Sequence, residues 1–175
     1  ALGAAGNGAA AQARIEAALA EPREPAVRSR LLLKLADFHE KAGRVDAAEA
    51  QFKTALALNS GNMAFVDPFI AFYKRNRLWQ KQQVLLRFRL GKTVELPMQI
   101  AILAELANVA EQMGDDRSAI DALRQLLSKA KGQELTLDLD VVRRNLATLL
   151  ARSGNAEAAL SELEQVAQSL RASKQ

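Results

Sequence analysis

The 175-residue sequence has no cysteine. This removes disulfides, thiol catalysis and cysteine-ligated zinc together. It leaves the redox compartment open, since a cysteine-free chain is acceptable anywhere. There is one histidine, His39, and without a second histidine or a cysteine no transition-metal set is expected. Proline (4) and glycine (9) are sparse and aromatic residues make up only 5%. With alanine and leucine dominating the apolar set, that balance favours helices over strands and turns. No uninterrupted apolar run reaches about 18 residues, so no segment reads as a membrane-spanning helix.

Apolar residues reach 49% and charged residues 25%, enough to build a core and contrary to bulk disorder. The length fits one domain or one short array of repeats. A formal net charge of +4 raises nucleic acid, acidic lipid and an acidic protein as partner classes without choosing among them. The chain opens on Ala1 with no basic-then-apolar leader. It reads as a piece of a longer parent, for which a periplasmic or membrane-anchored protein is favoured over a cytoplasmic one.

Residues 1–10, nearly all Ala and Gly, are expected to form a flexible leader. Helical spacing begins at about Ala11, and Pro22 and Pro25 end that first helix by about residue 24. Thereafter three glycines, Gly43, Gly114 and Gly154, each follow a helical run and precede another that carries Asp or Asn near its start (Asp46, Asp115, Asp116, Asn155). Each glycine reads as a left-handed helix end joining two antiparallel helices. Counted from each glycine, Leu35, Leu106 and Leu146 stand eight before, Ala36, Ala107 and Ala147 seven before, and Ala48, Ala119 and Ala159 five after. Phe52, Leu123 and Leu163 stand nine after. Small residues let the two helices approach, and the large ones fill the gaps between them.

This pattern resembles the tetratricopeptide repeat, a helix-turn-helix unit of about 34 residues. The resemblance implies an all-α fold, an α-solenoid of stacked antiparallel hairpins wound into a right-handed superhelix. Four units are expected, at about 28–61, 62–95, 97–132 and 137–170, after a helix at 11–24 that looks like the second half of a truncated unit. The second unit is degenerate: Arg77 stands where the turn glycine belongs, Gln82, Leu86 and Arg89 break the size pattern, and Pro68 is expected to shorten or kink its first helix. The 40-residue step from Gly114 to Gly154 predicts about six extra residues in a loop around Lys131 to Thr136.

No catalytic residue, metal ligand or cofactor is assigned. His39 shares a face with Leu35 and Ala36 and reads as a hydrogen-bonded packing residue. Gly91-Lys92-Thr93 ends like a phosphate loop, but Leu86 replaces the required glycine and no buried strand precedes it. The acidic residues Asp115, Asp116, Asp138 and Asp140 read as helix-start charges. An enzyme is not expected.

What is left is surface. The resemblance implies that the first helix of each unit lines a groove for a peptide or protein partner. Its groove positions fall on Arg30, Leu33, Asp37, Glu40 and Lys41, on Ala101, Ala104, Asn108, Glu111 and Gln112, and on Val141, Arg144, Thr148, Ala151 and Arg152. Asn108 occupies the place from which such repeats hydrogen-bond a peptide backbone, a task suited to an amide. Chaperone-binding members grip a terminal carboxylate with Lys and Asn residues in two neighbouring units; those places here hold Leu33 and Asp37, so no carboxylate clamp is expected. A second surface is the stretch 71–94, with seven cations (Lys74, Arg75, Arg77, Lys81, Arg87, Arg89, Lys92) and no acid. Six of the eight aromatics lie in or just before it: Phe65, Phe69, Phe72, Tyr73, Trp79 and Phe88. Cations with stackable rings suit a single-stranded nucleic acid or another anionic polymer. The favoured reading instead puts the rings in the core and the cations on a basic surface for an acidic protein. Self-association through exposed end units is a third expectation.

Overall fold

The computed structural model describes residues 2–59, 62–132 and 137–172, with side chains from Ala10 onward. The described residues form nine helices and no strand: α1 (Leu2–Ala20), α2 (Pro25–Lys41), α3 (Val45–Leu58), α4 (Met63–Arg75), α5 (Trp79–Lys92), α6 (Leu96–Gln112), α7 (Asp116–Ala130), α8 (Leu139–Arg152) and α9 (Ala156–Ala172). They fall into two compact units, residues 1–77 and 78–175.

The expected turns form as the sequence dictates. Gly43, Gly114 and Gly154 have φ of +72°, +70° and +82°, a region that costs any residue with a Cβ but not glycine. Behind each, the chain closes the same bond back to the preceding helix: Arg44 N–H donates to His39 O at 2.9 Å, Asp115 to Ala110 at 2.9 Å and Asn155 to Leu150 at 2.8 Å. This six-to-one closure satisfies carbonyls that a helix end leaves open. The next helix starts at once. Asp115 Oδ1 accepts from Ser118 N–H at 3.0 Å and Asn155 Oδ1 from Ala158 N–H at 3.3 Å, each satisfying an orphan donor.

In the first unit α2 and α3 form a hairpin, with α1 against α2 and α4 against α3. Ala36, Ala48 and Ala55 are fully buried, and this allows the close approach. Phe52 stacks on Phe69 with centroids 5.1 Å apart and rings 5° from parallel, and Phe72 and Tyr73 extend the cluster at 4.9 Å from Phe52 and 4.3 Å from Phe69. The polar groups inside are satisfied. Buried Ser29 donates to Ala55 O at 3.0 Å and accepts from Asn59 at 2.6 Å, and Tyr73 O–H donates to Glu49 Oε1 at 3.1 Å. Burial beside that carboxylate raises the phenol's pKa.

The second unit packs α6 with α7 and α8 with α9 as hairpins, with α5 against α6 and α7 against α8. Its core is aliphatic. Leu103, Leu106, Leu123, Leu126, Leu146 and Leu149 are all buried, with Ala107, Ala119 and Ala147 at the crossings.

One expectation is corrected. Leu2–Ala20 is one helix, so most of the stretch expected as a flexible leader is its first half. Alanine's propensity outweighs the scattered glycines there. Helix α4 runs from Met63 to Arg75 with Pro68 inside it, 13 residues against 17 in each of α2 and α6, and its buried aromatic face continues on both sides of the proline. Arg77, which stands where the turn glycine belongs, takes φ +55°, the region that glycine adopts without cost. The inserted loop lies partly outside the described residues, at 133–136. Gly91 and Lys92 close the last turn of α5.

Candidate interaction surfaces

In the first unit, α2 presents Arg30, Asp37 and Lys41 exposed and Leu33 half-buried. They share one side because α2 buries Ser29, Leu32, Leu35 and Ala36 on the other. Lys41 and Asp37 form an i,i+4 ion pair at 2.7 Å. Glu40, the neighbouring groove position, accepts a fork from Arg75 of α4, Nε at 2.9 Å and Nη2 at 2.7 Å. Asn76 adds a third bond at 2.9 Å. The Arg75 bond holds the Glu40 carboxyl below its usual range against the opposing effect of burial, with help from Asn76. Arg75 was expected in a basic surface; here its charge is matched by Glu40.

His39 is half-buried, and its Nδ1 accepts from Arg44 Nε at 3.0 Å, while Arg44 also donates to Gln12 of α1 at 3.1 Å. Burial first, and Arg44 second, lower the His39 pKa against the pull of Glu16. A neutral imidazole that links α2 to α1 fits the packing role.

In the second unit, Asn108 and Glu111 stand exposed on α6, and Arg144 with Thr148 on α8. Arg152, expected as a partner-facing cation, is exposed and paired with an acid of its own unit. It sits at the last turn of α8 and forks onto Asp116 at the first turn of α7, Nε to Oδ2 at 2.7 Å and Nη2 to Oδ1. Arg75 and Arg152 occupy the same place, two residues before the turn residue, and each ties its helix to the preceding hairpin within its own unit. No sequence signal short of that positional match exposes the pairing.

The stretch 71–94 separates into its parts. Phe65, Phe69, Phe72 and Tyr73 are buried, Trp79 is half-buried, and Phe88 is 38% exposed. Four of the six rings are therefore core, which removes most of the stacking platform. Lys74, Arg77, Lys81, Arg87 and Lys92 are exposed, and Arg89 is half-buried, its Nη2 lying 3.4 Å from Met98 Sδ. Arg87 borders a groove of about 280 Å³ between α5 and α7, floored by Leu103 and Leu106 of α6 and walled by Gln83, Asp121 and Gln125. The sequence reading missed this groove, because its walls come from two helices whose pairing only the fold reveals. Among the described residues no group of three acidic or histidine side chains is placed to hold a metal, and no helix is long and apolar enough to cross a membrane.

Glycine-turned helix hairpins with small residues at their crossings define an all-α repeat protein of the tetratricopeptide-like solenoid class. Residues 29–62, the span of α2 and α3, match the model of the tetratricopeptide repeat. Among solved structures, a putative kinesin light chain of Podospora anserina with nearly identical tetratricopeptide-like repeats aligns at 20% identity and TM-score 0.62, over 97% of this chain and 90% of that one. MamA aligns at 15% identity and TM-score 0.57, over 84% and 81% of the two chains. BtubC of P. vanneervenii aligns at 15% and 0.57, over 97% and 75%. At these identities the likeness is one of fold. No curated protein sequence matches the chain.

Proposed function

We propose that the chain is a non-catalytic scaffold that binds a peptide or protein segment on the exposed faces of its first helices. Arg30, Leu33, Asp37 and Lys41 of α2 form one such face, and Asn108 and Glu111 of α6 with Arg144 of α8 form the other. The observation that carries the reading is the division of labour along α2, α6 and α8. Each buries its packing positions completely and keeps a polar row exposed on a rigid support, and such a row satisfies an extended backbone at little ordering cost. Repeats of this fold typically serve as scaffolds rather than catalysts. The wider setting we propose is a bacterial assembly or secretion protein, such as one of exopolysaccharide export.

Peptides selected from a random library for binding to the full chain test the reading. Asn108→Ala and Arg144→Glu should each weaken a selected peptide by about fivefold or more, a typical loss for a directly contacting polar anchor. Selected peptides indifferent to every first-helix substitution would overturn it. If binding instead fell by about tenfold between 50 and 200 mM salt and vanished in Arg87→Glu with Lys92→Glu, the anionic-polymer reading would replace it.

A further inference from the structure

The groove between α5 and α7 joins an apolar floor to polar walls that the protein itself leaves uncommitted. Leu103 and Leu106 of α6 and Ala122 of α7 are buried beneath it, and half-buried Leu90 of α5 joins them. Gln83 and Arg87 stand one turn apart on the α5 wall, and Asp121 and Gln125 one turn apart on the α7 wall. Among the described residues neither Arg87 nor Asp121 forms an ion pair or a side-chain hydrogen bond. Arg87 acts on Asp115, the cap of α7, through space and not by contact. The rims are cationic. Helix α5 carries no acid, and Lys92 is exposed in its last turn. On α7 the exposed cations Arg117, Arg124 and Lys129 outnumber Asp121, since Asp116 is held by Arg152. Lys129 stands one turn beyond Gln125, on the same stripe.

We infer that this groove is a second docking site, taking an extended acidic segment of a protein partner with one apolar side chain at its centre. From Gln83 to Leu90 the α5 wall is about 10 Å long, room for three or four extended residues at about 3.3 Å each. The central side chain rests on Leu103 and Leu106. Alternation along an extended chain turns its neighbours toward the rims, where their carboxylates meet Arg87 on one wall and Lys129 beyond the other. The walls also suit a peptide backbone. Arg87 can only donate, the Asp121 carboxylate can only accept, and Gln83 and Gln125 do both, so carbonyls and N–H groups of the segment each find a partner. A nucleic acid fits less well: its phosphates offer Asp121 no donor, and among the described residues no ring lines the groove for its bases to stack on. The site stands apart from the first-helix faces, since neither Asn108 nor Arg144 lines it. So short a segment covers far less than the roughly 800 Å² per partner of a standard interface. The complex is therefore weak and reversible, with a dissociation constant on the order of 100 µM.

Titration of the isotope-labelled full chain with the blocked peptide acetyl-Glu-Asp-Leu-Asp-Glu-amide, followed by the side-chain amide resonances in NMR spectra, tests this. The Gln83 and Gln125 amides are expected to shift together. Serine in place of the peptide's leucine should weaken binding about tenfold. Arg87→Met keeps the aliphatic stem and removes the donors, and Gln125→Ala removes the opposite amide. Both lie on exposed positions, so the helical circular dichroism should stay intact while the peptide is weakened about fivefold or more. Asn108→Ala should leave its binding unchanged. A peptide that moves neither glutamine overturns the inference, as does binding indifferent to Arg87→Met or to the leucine. A loss in Asn108→Ala would move the peptide to the first-helix faces, and tighter binding of an oligothymidylate than of the peptide would make the surface one for polyanions; either result overturns the assignment of this groove.

Discussion

The hairpins α2–α3 and α6–α7 share a turn and differ in what they pack. Gly43 and Gly114 have φ within 2° of each other, +72° and +70°, and the alanines at the crossings, Ala48 and Ala119, are both fully buried. Nine residues beyond the glycine, however, the first unit has Phe52 inside a four-ring cluster and the second has Leu123 in an aliphatic layer. Six residues beyond, the first has buried Glu49, bonded to Tyr73 and Lys53, and the second has Ile120. The backbone turn and the small residues specify the hairpin, and the filling between hairpins is free to vary as long as volume and hydrogen bonds are met.

The sharpest test of that contrast is truncation at the ninth position. Phe52→Ala opens a cavity among Phe69 and Phe72 and should cost about 3–5 kcal/mol, whereas Leu123→Ala should cost about 2–4 kcal/mol. Leu163→Ala, at the same position on α9 but 47% exposed, should cost under about 1 kcal/mol. Urea unfolding of the three variants gives the order directly. If Leu163→Ala proved as costly as Leu123→Ala, position within the hairpin and not exposure would set the cost.

The turn residues supply the next and smaller effect. A Cβ added at Gly114 would meet no atom within 4 Å, so the cost of Gly114→Ala is conformational alone, about 1–2 kcal/mol. Arg77 already bears that cost at φ +55°, and Arg77→Gly should therefore stabilise the chain by about 1 kcal/mol. Opposite shifts in thermal midpoint are expected. A loss of stability in Arg77→Gly would mean that the side chain, not the backbone, holds that turn.

Much of this was legible in the sequence. Gly43, Gly114 and Gly154 mark three turns because only glycine adopts their backbone without strain, and the Leu-Ala pair before each marks the buried stripe. The degenerate second unit was harder, since its cues are tertiary: Phe65, Phe69 and Phe72 are aromatic where the other units carry mostly aliphatic residues, Ile70 stands where they carry alanine, and only the mutual packing of the rings explains them. Of the surface, the exposed positions Arg30, Asp37, Asn108 and Arg144 are among those that the resemblance to the repeat implied. The capture of Arg75 by Glu40 and of Arg152 by Asp116 did not, because each joins residues about 35 apart whose proximity depends on how hairpins stack.

The smallest expected effect belongs to the first of those captures. Glu40 has a carboxyl depressed by the Arg75 fork, so the fork stabilises the fold fully above the ordinary carboxylate pKa, near 4.5, and the stabilisation is lost as pH falls through the lower folded value. At neutral pH Glu40→Gln should cost about 0.5–1 kcal/mol, the range for a pair whose arginine is more than half exposed. Below the folded pKa wild type and variant should unfold at the same midpoint. Thermal midpoints of both proteins from pH 7 down to about pH 3 provide the comparison, and a gap that persisted in acid would assign Glu40 a packing role instead of an electrostatic one.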